Sequence, residues 1–104
     1  MNYLEHLISN KEVFFNFMKK RYPLFQQSNL FFRDMQYAIM SYFELKEKPM
    51  NYEKAEVIAH DFIKKLVDSG ELLKLDHKTW KVNFEIKEEK QEIEEIDEKG
   101  VVNE

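Results

Sequence analysis

The chain of 104 residues contains no cysteine, only two glycines and only two prolines. Without cysteine there is no disulfide framework, no thiolate metal site and no cysteine nucleophile, a composition at home in a reducing compartment. So few turn-forming residues argue against an all-β design and for long helices. No apolar run approaches the roughly 20 residues that a membrane-spanning helix needs. The opening "MNYLEHLISN" lacks the basic start and apolar core of a signal peptide, carrying Glu5 and His6 instead. The expectation is a soluble, cytoplasmic protein with no membrane partner. Arginine, the usual reader of base edges, occurs only at Arg21 and Arg33.

Enzyme signatures are also missing. His6, His60 and His77 are far apart and none lies in an H-E-x-x-H pattern. His60 and Asp61 are adjacent, so on a helix they point in different directions. There is no glycine-rich phosphate loop and no G-x-S-x-G elbow. No pair of acids sits in an apolar run that would raise a carboxyl pKa. Arg33-Asp34 reads as a surface ion pair or a first-turn charge. The sequence thus predicts no enzyme, no catalytic residue, no metal and no cofactor.

What the chain has is aromatic side chains: nine Phe, five Tyr and one Trp. Each buried ring removes a large apolar area from water, so a short chain can still build a firm core. Charge divides the chain in two. Residues 1–84 carry 13 basic and 11 acidic side chains, whereas 85–104 carry nine acids and three lysines. We read 1–84 as a single domain and 85–104, "EIKEEKQEIEEIDEKGVVNE", as an acidic tail without enough apolar residues for a core, disordered or marginally helical.

Three helices are expected. "SNKEVFFNFMKKRYP" offers Ser9 and Glu12 as a capping box, Val13, Phe14, Phe17 and Met18 at helical spacing, and Pro23 as a stop. Tyr3, Leu4, Leu7 and Ile8 suggest an extra turn or two before it. The second helix is expected over roughly Asn29 to Glu47, with Phe31, Phe32, Met35, Ala38, Ile39, Tyr42 and Phe43 on one apolar face. Leu30, Tyr37 and Met40 lie opposite, so this helix should be covered on two sides, packed between the other two. The third is expected over Tyr52 to Asp68, capped by Asn51, with Ala55, Ile58, Ala59, Phe62, Ile63 and Leu66 buried and Gly70 in the left-handed position that ends many helices.

After Gly70, "ELLKLDHKTWKVNF" alternates with the two-residue period of half-buried strands. The expected hairpin turns at Asp76-His77-Lys78, with Asp76 folding onto the turn backbone. It lays Leu73, Leu75, Trp80, Val82 and Phe84 on the helices and shows Lys74, Lys81 and Asn83 to water. The fold class is therefore mainly α with a C-terminal β-hairpin. Over about residues 29–84, "LVDSGELL…TWKVNF" and the order of elements resemble the winged-helix superfamily, and the helix end and hairpin are similar to those of many bacterial winged-helix domains. The resemblance implies a three-helix core plus a wing. Only one helix lies between the "KEKP" break and the hairpin, a departure from the standard pattern, so either the first helix supplies the remaining member or the three helices are assembled differently.

Two surfaces are candidates for function. The aromatics crowd into about 30 residues, more than so small a domain need bury, and any left outside would mark a protein partner. The candidates are Phe15, Tyr22, Phe25 and Tyr37, and self-association through the first helix would cover them. The alternative, implied by the resemblance, is a DNA-binding transcriptional regulator. It would use a basic strip of Lys19, Lys20, Arg21, Arg33 and the wing residues Lys74, Lys78 and Lys81 to meet phosphates. Against it, the solvent face of the third helix mixes Glu53, Glu56, Asp61 and Asp68 with Lys54, Lys64 and Lys65, so positive charge is diluted where a recognition helix needs it. The first choice is a non-catalytic protein-interaction module.

Overall fold

A computed structural model describes residues 2–85. The N-terminal helical region is two helices, α1 (Tyr3–Ser9) and α2 (Lys11–Lys19). Asn2 caps α1, its side chain accepting from the Glu5 backbone N–H at 2.9 Å. The anticipated Ser9–Glu12 capping box gives way to a break one residue later. Asn10 donates both its backbone N–H and its side-chain amide to the His6 carbonyl, at 3.0 and 2.9 Å. An asparagine can satisfy that exposed helix end from its own side chain, which Ser9 cannot do from within the helix.

The second expected helix begins late. Asn29–Phe31 is a strand, β1, and α3 runs from Phe32 to Leu45. Leu30 is drawn into the core opposite Trp80, and a waiting strand edge offers backbone partners that a helix start would have to leave to water. Phe31, placed by periodicity on the apolar helix face, is therefore extended and points outward. The third helix, α4 (Tyr52–Asp68), has the expected bounds. The Asn51 side chain accepts from the Lys54 N–H at 2.8 Å. At its other end the N–H groups of Gly70 and Glu71 return to the carbonyls of Val67 and Leu66, with Gly70 at φ 85°, the hydrogen-bond pattern of a Schellman motif.

The C-terminus of α3 closes the same way without a glycine. Glu47 and Lys48 donate to the carbonyls of Glu44 and Phe43, and Glu47 stands at φ 62°. A side chain in that region costs energy that glycine avoids, although glycine gives back part of the gain through a freer unfolded chain. Glu47→Gly should therefore stabilise the domain by about 0.5–1 kcal/mol, raising the thermal midpoint by a few degrees. Melting followed by circular dichroism checks this, and a fall in midpoint would refute it.

A three-stranded antiparallel sheet forms with the order β1-β3-β2, adding β2 (Leu72–Asp76) and β3 (Thr79–Val82). The hairpin turns where expected, and Asp76 accepts from the Lys78 N–H at 2.8 Å, a contact that holds its carboxyl below the usual carboxylate range. Its facing, however, is not the expected one. Asp76 pairs with Thr79 but Lys74 pairs with Trp80, leaving Leu75 as an extra residue in a bulge. A one-residue offset exchanges the two faces of a strand. Leu72, paired with Val82, is fully buried, and Leu73 and Leu75 face away from the core. Trp80 and Val82 are buried and Phe84 half-buried, as expected.

The inner face of the sheet closes a single core with the four helices. Its centre is aromatic. Phe14 meets Phe62 at 5.8 Å and Tyr42 at 5.3 Å, both edge-on, and Phe15 stacks on Phe62 at 5.9 Å. A hydrogen bond of 3.0 Å joins His6 Nε2 to the Tyr42 hydroxyl. At the rim Lys11 reaches both carboxylate oxygens of Glu71, at 2.9 and 3.1 Å, and the Ser69 hydroxyl donates to one of them at 2.7 Å. Burial alone would raise the Glu71 carboxyl. The hydrogen bonds from Lys11 and Ser69, together with the lysine charge, outweigh it and lower the pKa.

Candidate functional site

The outer face of the sheet carries exposed apolar side chains from both of its edge strands. Register places Phe31 on β1, Thr79 and Lys81 on β3, and Leu73 on β2 together, with the bulged Leu75 beside them. Phe31, Leu73 and Leu75 are 47%, 45% and 51% exposed. Three large apolar side chains from the two edge strands thus flank a central strand whose own outward residues are polar. The bulge creates this patch, since it turns Leu73 outward.

The four aromatics singled out by sequence separate. Phe15 is 2% exposed, sealed by Phe62 on one side and Phe84 at 5.0 Å on the other, so it belongs to the core and cannot meet a partner. Tyr22 is half-buried; burial, and next the Asp34 charge, raise its hydroxyl pKa. Phe25 and Tyr37 are exposed. Phe25 opens a turn in which the Ser28 hydroxyl donates to the Phe25 carbonyl at 2.6 Å and accepts from its N–H at 3.0 Å, with Gln27 at φ 76°. Tyr37 lies 6.1 Å from the ring of Tyr52. Sequence reasoning missed Phe31, Leu73 and Leu75. The one hint was the Leu72-Leu73 doublet, which allows either phase of the strand.

The basic residues do not form one strip. Lys20 lines a groove of about 260 Å³ with Val13, Phe17, Tyr42, Leu45 and Lys46, and the Arg21 guanidinium lies 4.3 Å over the Phe17 ring. Arg33 and Lys78 line a different groove, of about 560 Å³, with Asp34, Tyr52 and Glu56. Along α3 the positions of Arg33 and Lys46 are separated by roughly 20 Å of helix rise. Lys74 shares a strand face with Trp80, and Lys81 takes the opposite face. In an unbulged hairpin Lys74 and Lys81 would pair and share a face; the extra residue at Leu75 sends them to opposite sides. On α4, Lys64 lies 3.7 Å from Asp68 in an exposed pair one helical turn apart.

The outer sheet face can bind apolar side chains. Among the described residues no group of three or more His, Asp or Glu is placed to hold a metal ion, and none of their helices is long and apolar enough to cross a membrane. No protein-family model matches this chain, and neither a curated protein nor a solved structure matches it.

Proposed function

We propose that this chain is a small, non-catalytic, winged-helix-like module that binds protein, with a second copy of itself as the partner. The observation that carries the reading is the apolar outer face of the sheet, Phe31, Leu73 and Leu75. Single exposed apolar residues are ordinary; here Leu73 and Leu75 adjoin on β2, with Phe31 across Thr79 and Lys81 on the same sheet face, a grouping of the kind that marks an interface. A two-fold axis brings the same patch of two copies together, so two such sheets could stack face to face, as packed sheets do. The order of elements supports the winged-helix likeness: on that reading α2, or the α1–α2 pair, would be the first helix, α3 the second, α4 the recognition helix, and β2 with β3 the wing.

Light scattering on a sizing column tests this directly. The expected result is a dimer at tens of micromolar, reverting to monomer in a Leu73→Glu/Leu75→Glu double variant whose melting point is little changed, because both side chains are already outside the core. A wild-type chain that stays monomeric over the whole concentration range would remove the reading.

Duplex DNA is the second reading, favoured by one observation: the groove at the start of α3 sets Arg33 and Lys78 beside Tyr52 in the first turn of α4. Acids in and beside that groove, Asp34 and Glu56, dilute its charge. Generic duplex in a gel-mobility experiment separates the two, since a phosphate-driven complex forms at low salt and weakens as salt rises. Absence of any shift at low salt ends the DNA reading.

A further inference from the structure

The groove between the second and third helices has a composition that matches a segment of this same chain. Its walls are Val13, Asn16 and Phe17 of α2 and Tyr42 and Leu45 of α3, and Leu45 is 68% exposed. Three cations surround it. Lys20 and Lys46 line it directly, the Lys46 ammonium lying 5.0 Å from the Tyr42 ring, and Arg21 covers Phe17. No acid lines it. An apolar trough ringed by positive charge is suited to an acidic helix with an apolar stripe.

Residues 86–104 carry that chemistry. Ile86, Ile93 and Ile96 are spaced seven and three apart, so at helical period they fall on one face. Glu89, Glu92 and Asp97 are each four residues from one of the latter two isoleucines, and so adjoin the stripe. The described chain ends next to the groove's own helix: Phe84 packs against Phe15 of α2, and Val13 and Phe17 lie about 200° around α2 from Phe15. The eight residue-to-residue steps from Glu85 to Ile93 reach about 26 Å when extended, enough to pass around a helix about 10–12 Å across.

We propose that the acidic segment 86–104 docks into the α2–α3 groove of its own chain, seating Ile93 and Ile96 beside Phe17 and Leu45 with its acids facing Lys20, Arg21 and Lys46. The occupied groove is a different surface from the outer sheet face, so this docking and self-association stand or fall separately.

The absence of cysteine makes a clean test available in the full-length chain. Glu95→Cys places a single nitroxide label on the side of the segment opposite its isoleucines. Amide signals of Val13, Phe17, Lys20, Leu45 and Lys46 should broaden at low salt. The broadening should be lost at roughly 0.5 M salt, where charges a few ångströms apart are screened, and lost in Ile93→Asp/Ile96→Asp, which alters no described core residue. Three results would overturn the proposal: no broadening at low salt, broadening centred on Leu73 and Lys81 of the sheet, or broadening seen only when labelled chains are mixed with isotope-enriched unlabelled ones, which would place the segment on a neighbouring molecule.

Discussion

Phe62→Ala is expected to remove about 3–5 kcal/mol of stability, the cost of truncating a buried ring. The ring is fully buried and touches both Phe14 and Phe15. It therefore joins α4 to α2, the helix whose three phenylalanines reach α3, α4 and the end of the sheet. A domain of this size has only about 5–15 kcal/mol in total, so the variant should melt about 15–30 °C lower, or fail to fold at body temperature. The sole tryptophan, Trp80, is 6% exposed in the sheet, so its emission should shift to longer wavelength in the same transition. A loss below about 1.5 kcal/mol would mean that the ring is not central to the core.

The second large effect is a contrast between neighbours. Leu72→Asp should cost at least about 4 kcal/mol, because it places a carboxylate where a fully buried leucine faces Val82. Leu73→Asp should cost less than about 1 kcal/mol, since that side chain already meets solvent. Urea unfolding of the two variants measures both. The opposite order would mean that β2 pairs without its bulge, with Leu73 and Leu75 inward, and would abolish the apolar outer face on which the proposed self-association depends.

That contrast marks where one-dimensional pattern stops being enough. An unbulged hairpin with Asp76 opposite Thr79 pairs Leu75 with Trp80 and Leu73 with Val82, which is the facing that alternation predicts. One extra residue at Leu75 moves every pair by one, and nothing in "LLKLD" records it, because leucines stand in both phases. The same is true of Phe31. Its spacing to Met35 and Ala38 is helical, yet the backbone of β3 and the burial of Leu30 opposite Trp80 draw residues 29–31 into a strand. Phe15 fails for a related reason. Phe14, Phe15 and Phe17 cannot share one helix face, so one of them looks surplus until α2 is found covered on both sides, by Tyr42 and Phe62 for Phe14 and by Phe62 and Phe84 for Phe15.

What the residues determined alone is what depends on near neighbours in the chain. Asn51 and Gly70 set the limits of α4 because a cap and a left-handed closure act within a few residues. Asp76 fixed the turn for the same reason. The inner stripe of α4 followed from helical period, and the exposure of Phe25 and Tyr37 agreed with the expectation for both. Tertiary structure decided the third strand, the bulge, the outward turn of Leu73 and the scattering of the lysines. Each is settled by a partner distant in sequence: a hydrogen-bonding edge, or a core volume that admits one leucine of a pair and not its neighbour. Those long-range terms outweigh local preference, and they created the apolar sheet face from residues that the local pattern had assigned to the interior or left unremarked.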